Sequence, residues 1–536
     1  MRVKYSIFLL IVPAIFHWTG LSAQNESVFN TQLNKFGQTI FYINQYYLDS
    51  VNNEKLIESA IISALSQLDP HSSYVSSSDV KSMNEPLEGN FEGVGIEFSI
   101  IRDTLTVVNT ISGGPCERVG VRAGDKIVAV DGENIASKGV NNEKVFKYLR
   151  GPKGTKVLLN IVRSEVNEEL VFEVLRDKIP ILSLDAAYEV EPEIIYIKLN
   201  RFSANSKDEI LNAMAGLKIN KPKGVILDLR GNSGGYLGTA LEIANMFLEK
   251  GQTIVYTEGR KMPRMDEYSN GEGFYKSGPL TILIDEGSAS SSEIVAGAIQ
   301  DWDRGYIVGR RSFGKGLVQQ MLPLTDGSQL RLTIARYHTP SGRVIQSPYE
   351  PGDLKNYYKS FSERYSNGEY FSRDSIHFPD SLKFKTLIKG RTVYGGGGIM
   401  PDFFIPADTT KYSNYYGSLL RRGILLDYMN DMSDSKRVSW QKKYSSFDKF
   451  TKDFIIDNEM IDGLVKLADT RGVPFKKDEF EISKGAITIF MKALAARRIF
   501  GQSAYFMVIN RSDDPVFDKA LKIIKGEVVP EASLAL

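Results

Sequence analysis

Between Ile194 and Trp302 the chain alternates short apolar runs with stretches of helical spacing, and this rhythm restricts the fold more than any other feature of the sequence. Ile194 to Leu199, Gly224 to Leu229 and Leu280 to Ile284 read as strands, and helices are expected near Lys207 to Leu217, near Leu237 to Leu248 and from about Ser290 to Trp302. Such alternation predicts an α/β layer, in which ligand chemistry gathers at the strand-to-helix turns.

The flanks have other textures. From Glu26 to Met83 apolar residues recur at Phe36, Ile40, Ile43 and Tyr47, then at Leu56, Ala60, Ile61, Ala64, Leu65 and Leu68. Two or more helices are expected there, the second ended by Asp69-Pro70-His71 with a Ser-rich loop behind it. From Phe91 to about Arg176 the runs Gly95 to Ile101, Thr104 to Val108, Lys126 to Val130 and Lys156 to Val162 read as short strands. Turn signals at Gly113-Gly114-Pro115, Asp131-Gly132 and Gly151 to Gly154 divide them, and Asn142 to Leu149 is helix-like, so a small β-rich module with one or two helices is expected. Beyond about Ala407 the chain is charged and helix-like, most clearly over Lys484 to Ile499. At 536 residues several domains are needed: an export signal over 1–23, a helical region over 24–85, the β-rich module over 86–176, the α/β core over 177–406 and a helical region over 407–536.

Lys+Arg number 66 and Asp+Glu 65, which leaves no basic excess for a nucleic-acid backbone. The single cysteine, Cys116, excludes an intramolecular disulfide and a clustered cysteine metal site, and reads as a small buried hydrophobe. Arg2 and Lys4 precede an apolar run from Ile7 to Trp18 that closes at Leu21-Ser22-Ala23, the pattern of a secretory signal peptide cut near Ala23. An uncleaved anchor and a buried helix are the alternatives. The expected location is extracytoplasmic: periplasmic or peripherally attached to the membrane.

Three segments could carry chemistry. Asp285-Glu286-Gly287-Ser288-Ala289-Ser290-Ser291-Ser292-Glu293 lies between a strand and a helix start, where backbone N–H groups and the helix dipole favour developing negative charge. Serines there are equally good helix caps. A serine nucleophile needs a base, and of the four histidines His17 falls in the export signal while His71, His338 and His377 sit in ordinary contexts. Lys315, between glycines in Ser312 to Gln319, is the better candidate, although a lone Gly-Lys-Gly is also a common surface turn. To serve as a base near pH 7 its pKa must fall by about 3 from about 10.4, at a cost of roughly 4 to 5 kcal/mol. Leu227-Asp228-Leu229-Arg230-Gly231-Asn232-Ser233-Gly234-Gly235 runs from a strand into a glycine-rich turn that suits an oxyanion hole, a phosphate cradle or a plain strand-to-helix turn; Walker and GxGxxG patterns are absent.

Together these three segments resemble the C-terminal processing peptidases, or tail-specific proteases, whose SASxSE, FGKGxVQ and DLRxNxGG motifs they match. Leu68 to Tyr74, Tyr337 to Arg343 and Gly395 to Asp402 are similar to further stretches of that family, so the resemblance spans about residues 65 to 405. It implies a ClpP/crotonase-like α/β protease core with Ser290 as nucleophile, Lys315 as general base and Gln319 as an orienting group. The oxyanion donors would be the N–H of Ser291 and one from Gly234 or Gly235, and no metal or organic cofactor is implied. Ser291 replaces the family's commoner alanine, and His338 stands where a second tyrosine is usual. Asp301 matches an acidic position of some members, but about 11 residues of helix put it roughly 16 Å from Ser290, so a structural role at the helix end is expected.

The β-rich module resembles the permuted PDZ domain of the same family, through Gly93-Val94-Gly95-Ile96-Glu97-Phe98 and Val119 to Ile127. Gly93, Val94, Gly95 and Ile96 would then receive a terminal carboxylate while the following strand pairs with the peptide. Arg150 would couple that module to the active site. The implied partners are protein or peptide substrates with free C-termini, with a homodimer and a regulatory adaptor left open. The implied activity is that of an exported serine endopeptidase; the rivals are a catalytically silent peptide-binding scaffold of the same fold and a small-ester α/β hydrolase, whose GxSxG turn is absent.

Overall fold

In the strands Ile194–Leu199, Gly224–Asp228 and Leu280–Ile284 every residue is buried, which is why they read as apolar runs broken only by Lys198, Asp228 and Thr281. This emerges from a computed structural model that describes residues 16–528 apart from 102, 112, 164 and 165. Arg2, Lys4 and the apolar run as far as Ile15 lie outside the described residues, and a helix covers Phe16–Tyr46. Among the described residues no helix is long and apolar enough to cross a membrane.

The three strands sit inside a six-stranded sheet ordered Leu184–Glu191, Ile194–Leu199, Gly224–Asp228, Leu280–Ile284, Tyr306–Gly309, Phe403–Phe404. Its first pair is antiparallel and the rest are parallel. Side chains alternate between two cores. Ile195, Ile197, Leu227 and Ile282 pack with Ile210, Ile243 and Ile294 from the helices Ser206–Leu217, Leu237–Asn245 and Ser291–Asp301. Tyr196, Ile226 and Leu283 face the other way, against Val516, Phe517 and Ala520 of the helix Pro515–Ile524. That contact is tight at Gly224, where an added Cβ would stand 2.1 Å from Ile524 Cγ2. So a segment far beyond residue 407, in the region whose role the sequence left open, closes the second face of the sheet.

A second sheet is built on the long strand Gln329–His338, flanked by Leu317–Pro323, Thr253–Glu258 and Ser73–Val75, with Met265–Tyr268 at the far edge. The stretch after Asp69-Pro70-His71 was expected to be loop, yet Ser73–Val75 is a strand paired with Arg331 to Gln329. Asp69 Oδ1 accepts the N–H groups of His71 and Ser72, both at 2.9 Å, and turns the chain so that Ser72 Oγ accepts the N–H of Thr333 at 3.0 Å. Tertiary docking makes this strand.

The β-rich module forms an antiparallel sheet ordered Ile96–Ile101, Thr104–Thr110, Lys126–Val130, Lys156–Val162, Leu170–Leu175, with Glu133–Asn134 beside the third strand. Its helices are Pro115–Val119 and Asn142–Leu149. Cys116 is buried in its core with Val107, Ile127 and Leu159, and burial pushes the thiol up to about 12. Ile96–Ile101 is an edge strand, and its Phe98 meets Phe146 of the second helix edge-on at 5.9 Å. Residues past 407 first form a separate apolar core, with Leu419, Phe450, Leu464, Ile487 and Met491 at its centre. The helix expected at Lys484 to Ile499 extends over Lys477–Phe500.

Candidate active site

Of the serines in the turn after Leu280–Ile284, three are used in holding the turn together. Ser288 Oγ donates to the carbonyl of Leu229 at 2.8 Å, Ser291 Oγ to that of Gly235 at 3.1 Å and Ser292 Oγ to that of Asn232 at 2.8 Å. Ser290 Oγ donates no hydrogen bond to the described residues and lines a cleft of about 810 Å3. Its backbone is strained, with φ +54°, a conformation that costs a non-glycine residue of order 1–3 kcal/mol unless the surroundings impose it. They do so here. Glu293 Oε2 accepts the Ser290 N–H at 2.8 Å, and the Ser290 carbonyl accepts N–H bonds from Glu293 and Ile294 and the Tyr337 hydroxyl at 3.2 Å.

The same two residues hold Lys315. Its N–H donates to Glu293 Oε2 at 2.9 Å, and its carbonyl accepts the Tyr337 hydroxyl. Glu293 Oε1 takes the N–H of Gly314 at 2.7 Å and the hydroxyl of Ser312 at 2.5 Å. Burial raises this carboxyl to about 7 despite those donors. The side chain of Lys315 lines the cleft with Ser290, and burial lowers its amine to about 8, helped by the cation of Arg331 and opposed by Glu293 and Asp69. At pH 7 roughly a tenth of such an amine is neutral. Glu293 and Asp69 hold the amine above where burial and Arg331 alone would take it.

The glycine-rich turn faces the serine. A Cβ on Gly234, whose φ is +102°, would lie 2.8 Å from Ser290 Cβ, and one on Gly235 would lie 2.1 Å from the Phe202 carbonyl oxygen. Only glycine allows this approach. The N–H of Gly234 donates to Asn232 Oδ1 at 2.9 Å, whereas that of Gly235 has no acceptor among the described residues. Ser291 is the first residue of its helix, so its N–H lacks an intrahelical partner. Arg230, at the start of the turn, pairs with Asp228 at 2.6 Å and with Asp514 at 2.8 Å, and Asp514 also caps the helix Pro515–Ile524. The turn is thus anchored to the far end of the chain.

Gln319 lines the same cleft, but its amide donates to the Leu317 carbonyl at 3.1 Å and to Thr333 Oγ1 at 3.3 Å, with no bond to Lys315. Thr333 in turn donates to Asp69 Oδ1 at 2.9 Å. His71 is close enough to feel the charge of Lys315; burial first, then that cation, lowers it to about 4, and its Nε2 meets the Tyr357 hydroxyl at 3.2 Å. Asp301 is fully buried at its helix end, where it pairs with Arg343 at 2.8 Å and accepts the N–H of Ser341 at 2.9 Å, and it does not line the cleft. His338 stacks on Tyr256, also away from it. His377, the remaining histidine considered as a base, does not line it either.

Gly93, Val94, Gly95 and Ile96 lie in the β-rich module, outside the cleft. The Val94 carbonyl accepts the N–H of Cys116 and that of Gly95 accepts the N–H of Ile111, both at 3.0 Å. Gly95 has φ +75°. Arg150, at the end of the module's second helix, pairs at 2.5 Å with Glu85 of the helix Ser77–Glu88, whose Leu87 lines the cleft. Sequence reasoning assigned no role to Glu293, Tyr337, Asp69 or Arg331. Glu293 had a signal in the Ser-x-x-Glu spacing at a helix start; the others are brought in only by the second sheet.

Residues 193–352 match peptidase family S41, residues 106–163 a PDZ domain, and residues 415–501 a family of unknown function. A carboxy-terminal-processing protease of Bartonella bacilliformis is 38% identical over 331 residues, covering 61% of this chain and 75% of the relative. A carboxy-terminal processing protease of Bacillus subtilis is 33% identical over 327 residues, covering 60% and 68%. Among solved structures, the photosystem II D1 C-terminal processing protease aligns at 28% identity with a TM-score of 0.34, covering 58% of this chain and 83% of that one.

Proposed function

The chain belongs to the carboxy-terminal processing proteases of peptidase family S41, and from that premise we propose that it is an exported endopeptidase working through Ser290 and Lys315. It is a serine-type peptidase with a PDZ domain. The observation that carries the dyad is that Ser290 alone among its neighbours has a hydroxyl that donates no hydrogen bond to the described residues, and that one buried carboxyl, Glu293, holds the backbones of both Ser290 and Lys315. Neutral Lys315 takes the proton of Ser290 as Oγ adds to the peptide carbonyl, then returns it to the leaving amine; water repeats the sequence to release the acyl group. The N–H groups of Ser291 and Gly235 are the oxyanion donors in this reading, since that of Gly234 already serves Asn232. Gln319 would steady the lysine with its carbonyl oxygen, because both its amide hydrogens are engaged.

The PDZ domain captures the free C-terminus of a substrate along the edge strand Ile96–Ile101, with the Gly93 to Ile96 turn at the carboxylate. Support for export is the basic, then apolar, then small-residue pattern ending at Ala23. To test the chemistry, Ser290→Ala and Lys315→Ala are compared with the native protein on a fluorogenic peptide, with thermal melts as a folding control. Each variant should melt as a folded protein and lose turnover by at least about a thousandfold. Undiminished hydrolysis by either one removes that residue from the mechanism.

A further inference from the structure

A second cavity, of about 550 Å3, adjoins the catalytic cleft and shares with it Leu87, Ser233, Gly234 and Arg331. Met83 and Pro86 of the helix Ser77–Glu88 line its outer side, and Arg201, just past the strand Ile194–Leu199, lines it too. No carboxylate lines it. Other partly buried arginines have their guanidinium nitrogens engaged: Arg230 by Asp228 and Asp514, Arg391 by Asp303 and Asp402, and Arg304 by the carbonyls of Phe247, Tyr275 and Gly278. Arg331 and Arg201 have no ion-pair partner among the described residues. The side chain of Arg201 makes one hydrogen bond, from Nε to Asn200 Oδ1 at 2.9 Å, which leaves its two terminal nitrogens unused. The nearest acid in that chain of bonds is Asp185, which is taken up by the Asn200 amide at 2.6 Å. Burial alone lowers Arg331, as expected of a guanidinium with no anion beside it. A guanidinium stays charged in a protein, and holding Arg331 partly out of water without an acid is unfavourable until an anion arrives.

We propose that this cavity is a subsite for a carboxylate of the polypeptide substrate, received by Arg201 and Arg331 beside the scissile bond. The carboxylate comes from an acidic side chain or from the substrate's own terminus; both present the planar pair of oxygens that a guanidinium fork fits. The inference rests on the proteolytic reading above, and it deepens that reading by naming a substrate chemistry.

The test uses the full chain carrying Ser290→Ala, so that binding is read without turnover, and peptides that differ by Glu or Gln at each of several consecutive positions, each as free acid and as amide. One position, or the terminus, should bind about tenfold more tightly with the carboxylate than with its amide, the ordinary worth of a charge-assisted hydrogen bond. Adding Arg201→Gln should cut that preference below about twofold while the Gln peptide binds as before, and Arg331→Gln should do the same. A Glu/Gln preference erased by Arg201→Gln assigns the side chain; an acid/amide preference erased by it assigns the terminus, since capture in the PDZ domain would survive that substitution. If no carboxylate preference depends on Arg201, the subsite is refuted even where the native enzyme cleaves these peptides. If the preference holds but the native enzyme cleaves nothing, the subsite stands and the proposed chemistry fails.

Discussion

The two principal sheets solve opposite problems. The six-stranded sheet is covered on both faces, and its central strands show no exposed residue, so its strand ends are fixed points on which a turn can be strained and kept so. The sheet of the PDZ domain alternates buried and exposed residues, as in Lys156–Val162, and leaves Ile96–Ile101 as an edge with backbone groups free to pair. A sheet covered on both faces suits a site that must be held rigidly; an edge strand with nothing beside it suits a surface that must accept many sequences. The proposed division of labour between turnover and capture follows from which sheet has both faces covered and which keeps one exposed.

That contrast can be broken by substitution. Glu293→Ala should have the largest effect, because it strands the N–H groups of Ser290, Gly314 and Lys315 and the hydroxyl of Ser312. Turnover should fall at least about a hundredfold and stability by about 3 kcal/mol, read from single-turnover rates and a urea midpoint. Next is pH. Lysine acts as a base only when neutral, so with Lys315 near 8 the value of kcat/KM should fall about tenfold per pH unit below that point and level off above it. Arg331→Gln removes a neighbouring cation, so the amine keeps its proton longer and the limb should move to higher pH; Asp69→Asn should move it lower. The smallest effect belongs to the open sheet. In Gly95→Ala the new Cβ meets Ile179 Cδ1 at 3.0 Å and Pro115 Cδ at 3.1 Å at a positive φ, so KM should rise about threefold to tenfold with kcat within twofold. A fall in kcat instead would mean that the two sheets are not separable in function.

The central strands were legible because burial on both sides leaves only Lys198, itself buried against Asp228, to interrupt the apolar run from Ile194 to Leu199. The pairing of Ser73–Val75 was not, since three residues are too few to show an alternation even though Tyr and Val favour strands, and the segment is held by what Asp69 and Thr333 do together. Which serine attacks was ambiguous for a physical reason: capping a helix and adding to a carbonyl call for the same hydroxyl. Only the acceptors at Gly235, Asn232 and Leu229, all from another strand-to-helix turn, show that three of the hydroxyls are occupied. The surroundings of Lys315 were beyond reach for the same reason, because Asp69 and Arg331 reach it from elsewhere in the chain.

The helix Pro515–Ile524 has a consequence for how the enzyme is made. A ribosome finishes the strand Leu280–Ile284 about 230 residues before it emits the helix that covers it, a delay of roughly ten seconds or more at ordinary elongation rates. Throughout that interval Tyr196, Ile226 and Leu283 lack their cover, and Arg230 lacks Asp514. A chain still being synthesised therefore leaves one face of its central sheet bare, and the turn that stands over the serine gains its second acidic anchor only with the tail.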